Sequence, residues 1–201
     1  MHDRSDHRLA RTAGVELSVQ NAELSESLLG GHELAIPPHR SLEGAEARLE
    51  VLAPLRYTGA VPTPAERVRA LLLARPAILA PMEDVTDAVF RRLCRKLGAT
   101  ICVTEFVNVE GLLRGCRNAR RKISLAPDDE LTAVQIYGSN PERLAEAARL
   151  AEAAAPLYID INCGCWVPKI AGRGAGAGWL REPRAMVAMA KSVAESVSLP
   201  V

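Results

Sequence analysis

From residue 77 onward the chain alternates short apolar runs with amphipathic stretches, and this rhythm constrains the fold more than any single residue does. Residues 77–82, 99–107, 131–137 and 157–162 are 6–9 residues long, apolar on both faces and partly β-branched, which predicts buried strands. Between them the apolar period lengthens to that of a helix. Over 86–97, Phe90, Leu93, Cys94 and Leu97 share one face and Gly98 marks the end. A second helix is predicted from about 110 to 123. A third opens at Asn140-Pro141-Glu142 and runs to about 155, and a fourth opens at Glu182-Pro183 and runs to about 197. Leu199-Pro200-Val201 reads as the onset of a fifth strand. Strands buried on both faces, each followed by a helix, imply a parallel sheet covered by helices, hence an α/β fold. A closed (β/α)₈ TIM barrel needs roughly 250 residues, and residues 76–201 supply the first four βα units of such a barrel.

The segment ahead of this pattern is different. Residues 1–62 show little periodicity beyond a helical hint over 41–52, and read as a weakly ordered extension; 63–201 is the barrel-like domain. Thr63-Pro64-Ala65-Glu66 combines a capping residue, a first-turn proline and a glutamate three positions on, predicting a short helix to about residue 74. All four histidines (His2, His7, His32, His39) lie in the extension. A Ser-His-Asp or Cys-His set, or a His-based zinc site, is therefore excluded from the patterned part. A formal net charge of +1 rules out whole-chain attraction to polyanions, so any polyanion partner must be met by a local patch. No apolar stretch approaches the ~20 residues of a membrane span, and residues 1–14 lack the apolar core of a secretory signal. Five cysteines, an odd number without paired spacing, point to reduced thiols, a cytoplasmic address and no metal.

Three segments fall at the carboxyl ends of the expected strands, where barrel enzymes build their sites: ILAPMEDVTD (78–87), VQIYGSNPE (134–142) and IDINCGCWVPKIAGRGAGAGWLREP (159–183). Gln135, polar within an apolar strand, requires a hydrogen-bonding partner, either a bound ligand or backbone. Cys163 and Cys165 flank Gly164; read alone, such thiols are more often small buried apolar residues than chemical groups. The glycine-rich run 172–178 matches neither G-x-G-x-x-G nor a Walker loop and reads as an active-site loop.

Taken together, the LAPME-x-VTD segment, Phe90-Arg91-Arg92-Leu93-Cys94, Thr104-Glu105, Val134-Gln135-Ile136, and Asp160-Ile161-Asn162-x-Gly164-Cys165 with Lys169 and Gly-Ala-Gly resemble the tRNA-dihydrouridine synthases over residues 77–201. The resemblance implies an FMN-dependent barrel that uses NADPH to reduce the C5=C6 bond of particular tRNA uridines. It makes Cys165 the proton donor to uracil C5, sets Asn162 against the uracil, and lines the flavin with Ala80, Pro81, Met82 and Gln135. A thiol of ordinary pKa, about 8.5, is mostly protonated at neutral pH and suits an acid without special tuning. A uracil presented outside its stack requires RNA contacts by shape and phosphate. Nine Lys/Arg between Arg91 and Lys122 face only Glu105 and Glu110 in that stretch. Arg114, Arg117 and Arg121 are expected on one helical face, and with Lys169 they are the phosphate-contacting candidates.

Three departures stand out. Trp166 occupies the place where the family usually has proline, Asp84 one where many members have glycine, and Cys163 one where many have methionine or leucine. The family's strand-borne Lys and His, its phosphate-binding glycine segments and its helical tRNA-binding domain correspond to sequence beyond Val201. Four units also leave two sheet edges, strand one and strand four, open to pairing. Three readings follow: a truncated synthase, favoured because the chain stops inside an expected strand; a barrel completed by self-association or a separate second half; or an inactive module retaining RNA contacts. Other chemistries to weigh are an FMN-dependent barrel acting on a free pyrimidine and a catalytically inactive RNA-binding half barrel.

Overall fold

A computed structural model describes residues 61–201; the expectations for residues 1–60, including the helical hint over 41–52, lie outside the described part. Helix α1, Pro64–Leu73, begins with a reciprocal cap. The Thr63 hydroxyl accepts from the Glu66 amide at 3.2 Å, and the Glu66 carboxylate accepts from the Thr63 amide at 2.8 Å. These bonds satisfy donors that a helix start leaves unpaired.

Five short strands follow, all paired in parallel. They are β1 Ile78–Leu79, β2 Ile101–Val103, β3 Val107–Asn108, β4 Thr132–Tyr137 and β5 Ile159–Ile161. β2 pairs with the start of β4 (Cys102 opposite Thr132) and β3 with its end (Val107 opposite Ile136). The single strand expected over 99–107 is thus interrupted at Thr104–Phe106. The cause is the Thr104 hydroxyl, which accepts from the Gln135 amide at 3.2 Å and bonds the Glu105 carbonyl at 3.0 Å, displacing regular ladder bonds. Counting β2 and β3 as one position, the spatial order is the sequence order, as in the opening units of a (β/α)₈ barrel. Beside β5, the Ile159 amide donates to the Pro200 carbonyl at 2.9 Å, so the expected fifth strand starts to add there, although no ladder forms.

Helices α2 Ala88–Lys96, α3 Val109–Leu113, α4 Arg117–Ile123, α5 Pro141–Glu152, α6 Pro168–Ala171 and α7 Pro183–Ala194 fill the connections, with a 3₁₀ helix over Gly176–Arg181. The one helix expected over 110–123 is two. Gly115 takes a left-handed φ of +72° and Cys116 is extended, so the chain turns between Arg114 and Arg117. The main core lies on the helix-facing side of β4 and β5. There Val134, Ile136 and Ile159 pack against Leu144, Ala147, Ala148 and Ala151 of α5 and Met189 and Val193 of α7. The alanines let α5 approach the sheet closely. The other face of the same strands carries Gln135 and Asp160, because side chains alternate with a period of two.

Candidate functional site

At the carboxyl ends of β1, β4 and β5, a concavity of about 400 Å³ is lined by Pro81, Phe106, Gln135, Ile161, Asn162, Cys163, Gly164 and Cys165. Four of the residues singled out in the sequence, Pro81, Gln135, Asn162 and Cys165, therefore meet around one space. Ala80 and Met82 flank Pro81 as exposed residues and are not part of the lining. Trp166 stands 78 % exposed, also off the lining.

The polar residues are bound to one another in a defined sequence. Gln135 and Asp160 are opposite one another in the β4–β5 ladder, and the Gln135 amide nitrogen donates to the Asp160 carboxylate in a short hydrogen bond. Asn162, two residues beyond Asp160 and so on the same face, donates from Nδ2 to Gln135 Oε1 at 3.1 Å. Its Oδ1 in turn accepts from the amides of Gly164 at 3.1 Å and Cys165 at 2.9 Å. This turn sets the direction of the Cys165 backbone. Sequence reasoning asked for a ligand or backbone partner for Gln135; the structure supplies two side chains instead. One N–H and one lone pair of that amide are left over from these contacts.

Behind the turn lies the glycine-rich run, which is packed rather than open. A Cβ placed on Gly176, at φ +54°, would lie 2.5 Å from the Cys165 carbonyl oxygen and 3.2 Å from the Cys165 Cβ. Only glycine fits there. The 3₁₀ helix that follows is pinned by the Trp179 indole, which donates to the Gly138 carbonyl at 3.0 Å. Burial, with a smaller contribution from the Asp160 charge, pushes the Cys163 thiol up.

The loop after β1 is held by an ion-pair cluster whose pairing the sequence did not show. The Lys122 ammonium lies 2.5 Å from Glu83 and 3.3 Å from Glu105, and Glu105 also accepts from the Asp84 amide at 2.9 Å. Glu83, Asp84 and Glu105 converge closely enough to hold a cation, and Lys122 supplies the positive charge there. Burial disfavours the charged Lys122, yet the bonds and charges of Glu83 and Glu105 outweigh it and raise its pKa. Asp84 sits at φ +57°, a region that favours glycine and that aspartate tolerates better than most residues. This explains why glycine is at home at this position.

The basic cluster expected between Arg91 and Lys122 divides in two. Arg91 lies 2.5 Å from one carboxylate oxygen of Asp129 and Arg95 2.5 Å from the other, with Arg91 and Asp129 almost wholly buried. Together with Lys122 these side chains are structural ion-pair partners rather than a surface for RNA. Arg114, Arg117 and Arg121 remain exposed, but they do not share the face of one helix: Arg114 caps α3, whereas Arg117 and Arg121 belong to α4. Arg114 lies 3.8 Å from Glu110, and Arg121 donates to Asn118 at 2.9 Å. Lys169 lines a second groove, of about 380 Å³, with Tyr137, Ser139, Asn140 and Arg173. Phe106 lines the first space and Tyr137 the second, and their rings meet edge to face at 5.4 Å.

No helix among the described residues is long and apolar enough to cross a membrane. A parallel α/β sheet whose strands keep sequence order and alternate with helices defines the opening units of a (β/α)₈ barrel. The sequence comparisons narrow that fold class. Residues 78–201 match the family model described as dihydrouridine synthase, and the chain belongs to that family. It is 39 % identical over 128 residues to a probable tRNA-dihydrouridine synthase of Treponema pallidum and 38 % identical over 135 residues to tRNA-dihydrouridine synthase B of Pseudomonas aeruginosa. These alignments take in 63 % and 67 % of this chain and 38 % and 41 % of the two relatives, so the chain spans about two fifths of their length.

Proposed function

We propose that this chain carries the flavin- and uridine-facing groups of a tRNA-dihydrouridine synthase. The observation that carries the reading is the convergence of Pro81, Gln135, Asn162 and Cys165, drawn from three strand ends, on one concavity. Its lining fits FMN: Pro81 and Phe106 offer apolar surface to a planar ring, and the leftover N–H and lone pair of Gln135 suit a polar ring edge. Ala80 and Met82 complete the flavin-facing set from the β1 end. Bound FMN, reduced by NADPH, supplies the hydride equivalent for uracil C6.

The chain's own residues supply the rest. Addition at C6 leaves enolate character on the uracil carbonyl, and the Cys165 thiol gives its proton to C5, forming the C–H bond as the S–H bond breaks. Asn162 holds the uracil with the Nδ2 proton that Gln135 does not take. The tRNA is met by exposed cations, Arg114, Arg117 and Arg121 along α3 and α4 and Lys169 beside the second groove. Among the described residues β1 pairs with β2 alone, and its other edge, with Ile78 45 % exposed, is suited to pairing with a further strand, from a second copy or a separate half barrel.

The test begins with FMN titrated into the purified chain, followed by flavin fluorescence and elution volume, then NADPH and unmodified tRNA with dihydrouridine read by mass spectrometry. The expected result is saturable flavin quenching and, in a barrel-complete version, dihydrouridine formation that Cys165→Ala slows by roughly 10²- to 10⁴-fold while flavin reduction stays intact. A chain that binds neither FMN nor tRNA overturns the proposal, and an unchanged rate in the variant removes Cys165 as the acid.

A further inference from the structure

The hydrogen bonds running from Asp160 to Cys165 have a direction, set at one end by an acceptor-only carboxylate and at the other by two donor-only backbone amides. A carboxylate has only acceptors, whereas the Gln and Asn amides each carry a donor end and an acceptor end that can be exchanged by a half turn. Asp160 therefore fixes which end of Gln135 it faces: Nε2 toward the carboxylate, Oε1 toward Asn162. That oxygen and the two backbone N–H groups demand the same orientation of Asn162, with Nδ2 toward Gln135 and Oδ1 toward the Gly164 and Cys165 amides. Were Gln135 reversed, its Nε2 would confront Asn162 Nδ2. Relieving that clash would turn Asn162 Nδ2 onto two backbone N–H groups, donor against donor. Gln135 and Asn162 are buried, so a mismatched pair cannot be relieved by solvent.

We infer that Asp160 is a positioning residue for the thiol: its carboxylate holds the Gln135 amide with Oε1 toward Asn162, the one orientation that supports the turn presenting Cys165. The catalytic meaning rests on the proposal that Cys165 is the proton donor; the orientation of the turn does not. The same chain of bonds accounts for an acidic residue at a position where strand β5 faces the interior of the sheet's site.

The experiment measures amide hydrogen exchange at Gly164 and Cys165 in the full chain, with β4 amides as the control for global unfolding. Asp160→Ala removes the acceptor, leaves Gln135 Nε2 unpaired and its amide free to swing, and exchange at the two turn amides is expected to accelerate at least tenfold while β4 protection holds. Adding Gln135→Glu moves the acceptor-only group one step along, where Asn162 Nδ2 donates to it whichever way it turns. This double variant is expected to return turn exchange to within about twofold of the parent. A residue needed only for packing or charge at its own position would not be rescued by a carboxylate placed at 135. Unchanged exchange in Asp160→Ala overturns the inference, as does a double variant whose turn stays fast. If the single variant does not fold, the double variant against the parent decides alone: protected turn amides support the inference, fast ones overturn it. Failure of Cys165→Ala to slow uridine reduction would instead remove the proposed chemistry and leave the turn's orientation standing.

Discussion

The β4–β5 half of the domain and the β1–α2 half are held together by different forces. Around β4 and β5, fully buried aliphatic side chains from both strands, α5 and α7 interlock. Around β1, the strand is two residues long, and Val89, Leu93 and Leu97 of the α2 region are largely exposed, Leu97 by 74 %. What ties α2 to the rest is ionic: Arg91 and Arg95 on Asp129, with Lys122 on Glu83 and Glu105 nearby. Apolar packing tolerates adjustment of shape. A buried carboxylate between two guanidiniums tolerates the loss of no partner, because the remaining charges are then stranded.

Three changes would break or sharpen this contrast. The largest effect is expected from Asp129→Ala, which leaves buried Arg91 without its partner and should cost about 3–5 kcal/mol in urea denaturation. Leu144→Ala, a truncation at a site with no exposed surface, should cost about 2–5 kcal/mol through lost transfer energy and a residual cavity. If Asp129→Ala instead costs less than 1 kcal/mol, the ionic half is not structural and the contrast fails. The smallest and most diagnostic effect is that of acid. Burial works against ionised Asp129, but the bonds and charges of Arg91 and then Arg95 outweigh it and hold its pKa below the usual carboxylate value. A group with a depressed folded pKa contributes fully above its unfolded value, about 4, and loses that contribution as pH falls through the folded one. Hydrogen exchange on lowering the pH through that window should therefore show α2 losing protection before α5. Simultaneous loss would mean that the two halves unfold as one unit.

The same contrast explains what could be read from the sequence. The β4–β5 half announced itself because its forces are periodic: the apolar runs at 131–137 and 157–162 and the Asn140-Pro141 start mark strands and helix directly. The break at Thr104 was hidden, since a threonine within a β-branched run favours a strand unless its hydroxyl finds a backbone donor, and that donor, the Gln135 amide, is 31 residues away. The division of the basic stretch was hidden for the same reason. Arg91 and Arg114 look alike in sequence, and only the arrival of Asp129, 38 residues from Arg91, makes the first a structural cation. At the site, residue identities were legible but their connections were not. Gln135 was recognisable as needing a partner, whereas the partners, Asp160 and Asn162, follow from strand register.

Gly176 bears no functional group and touches no proposed substrate, yet its α-carbon is the backstop on which the thiol-bearing turn rests. A methyl group there has nowhere to go except into the carbonyl of Cys165. In a mutational survey scored by turnover, position 176 would therefore rank with the reacting residues while the protein still folded, and an inventory of chemical side chains would never have nominated it.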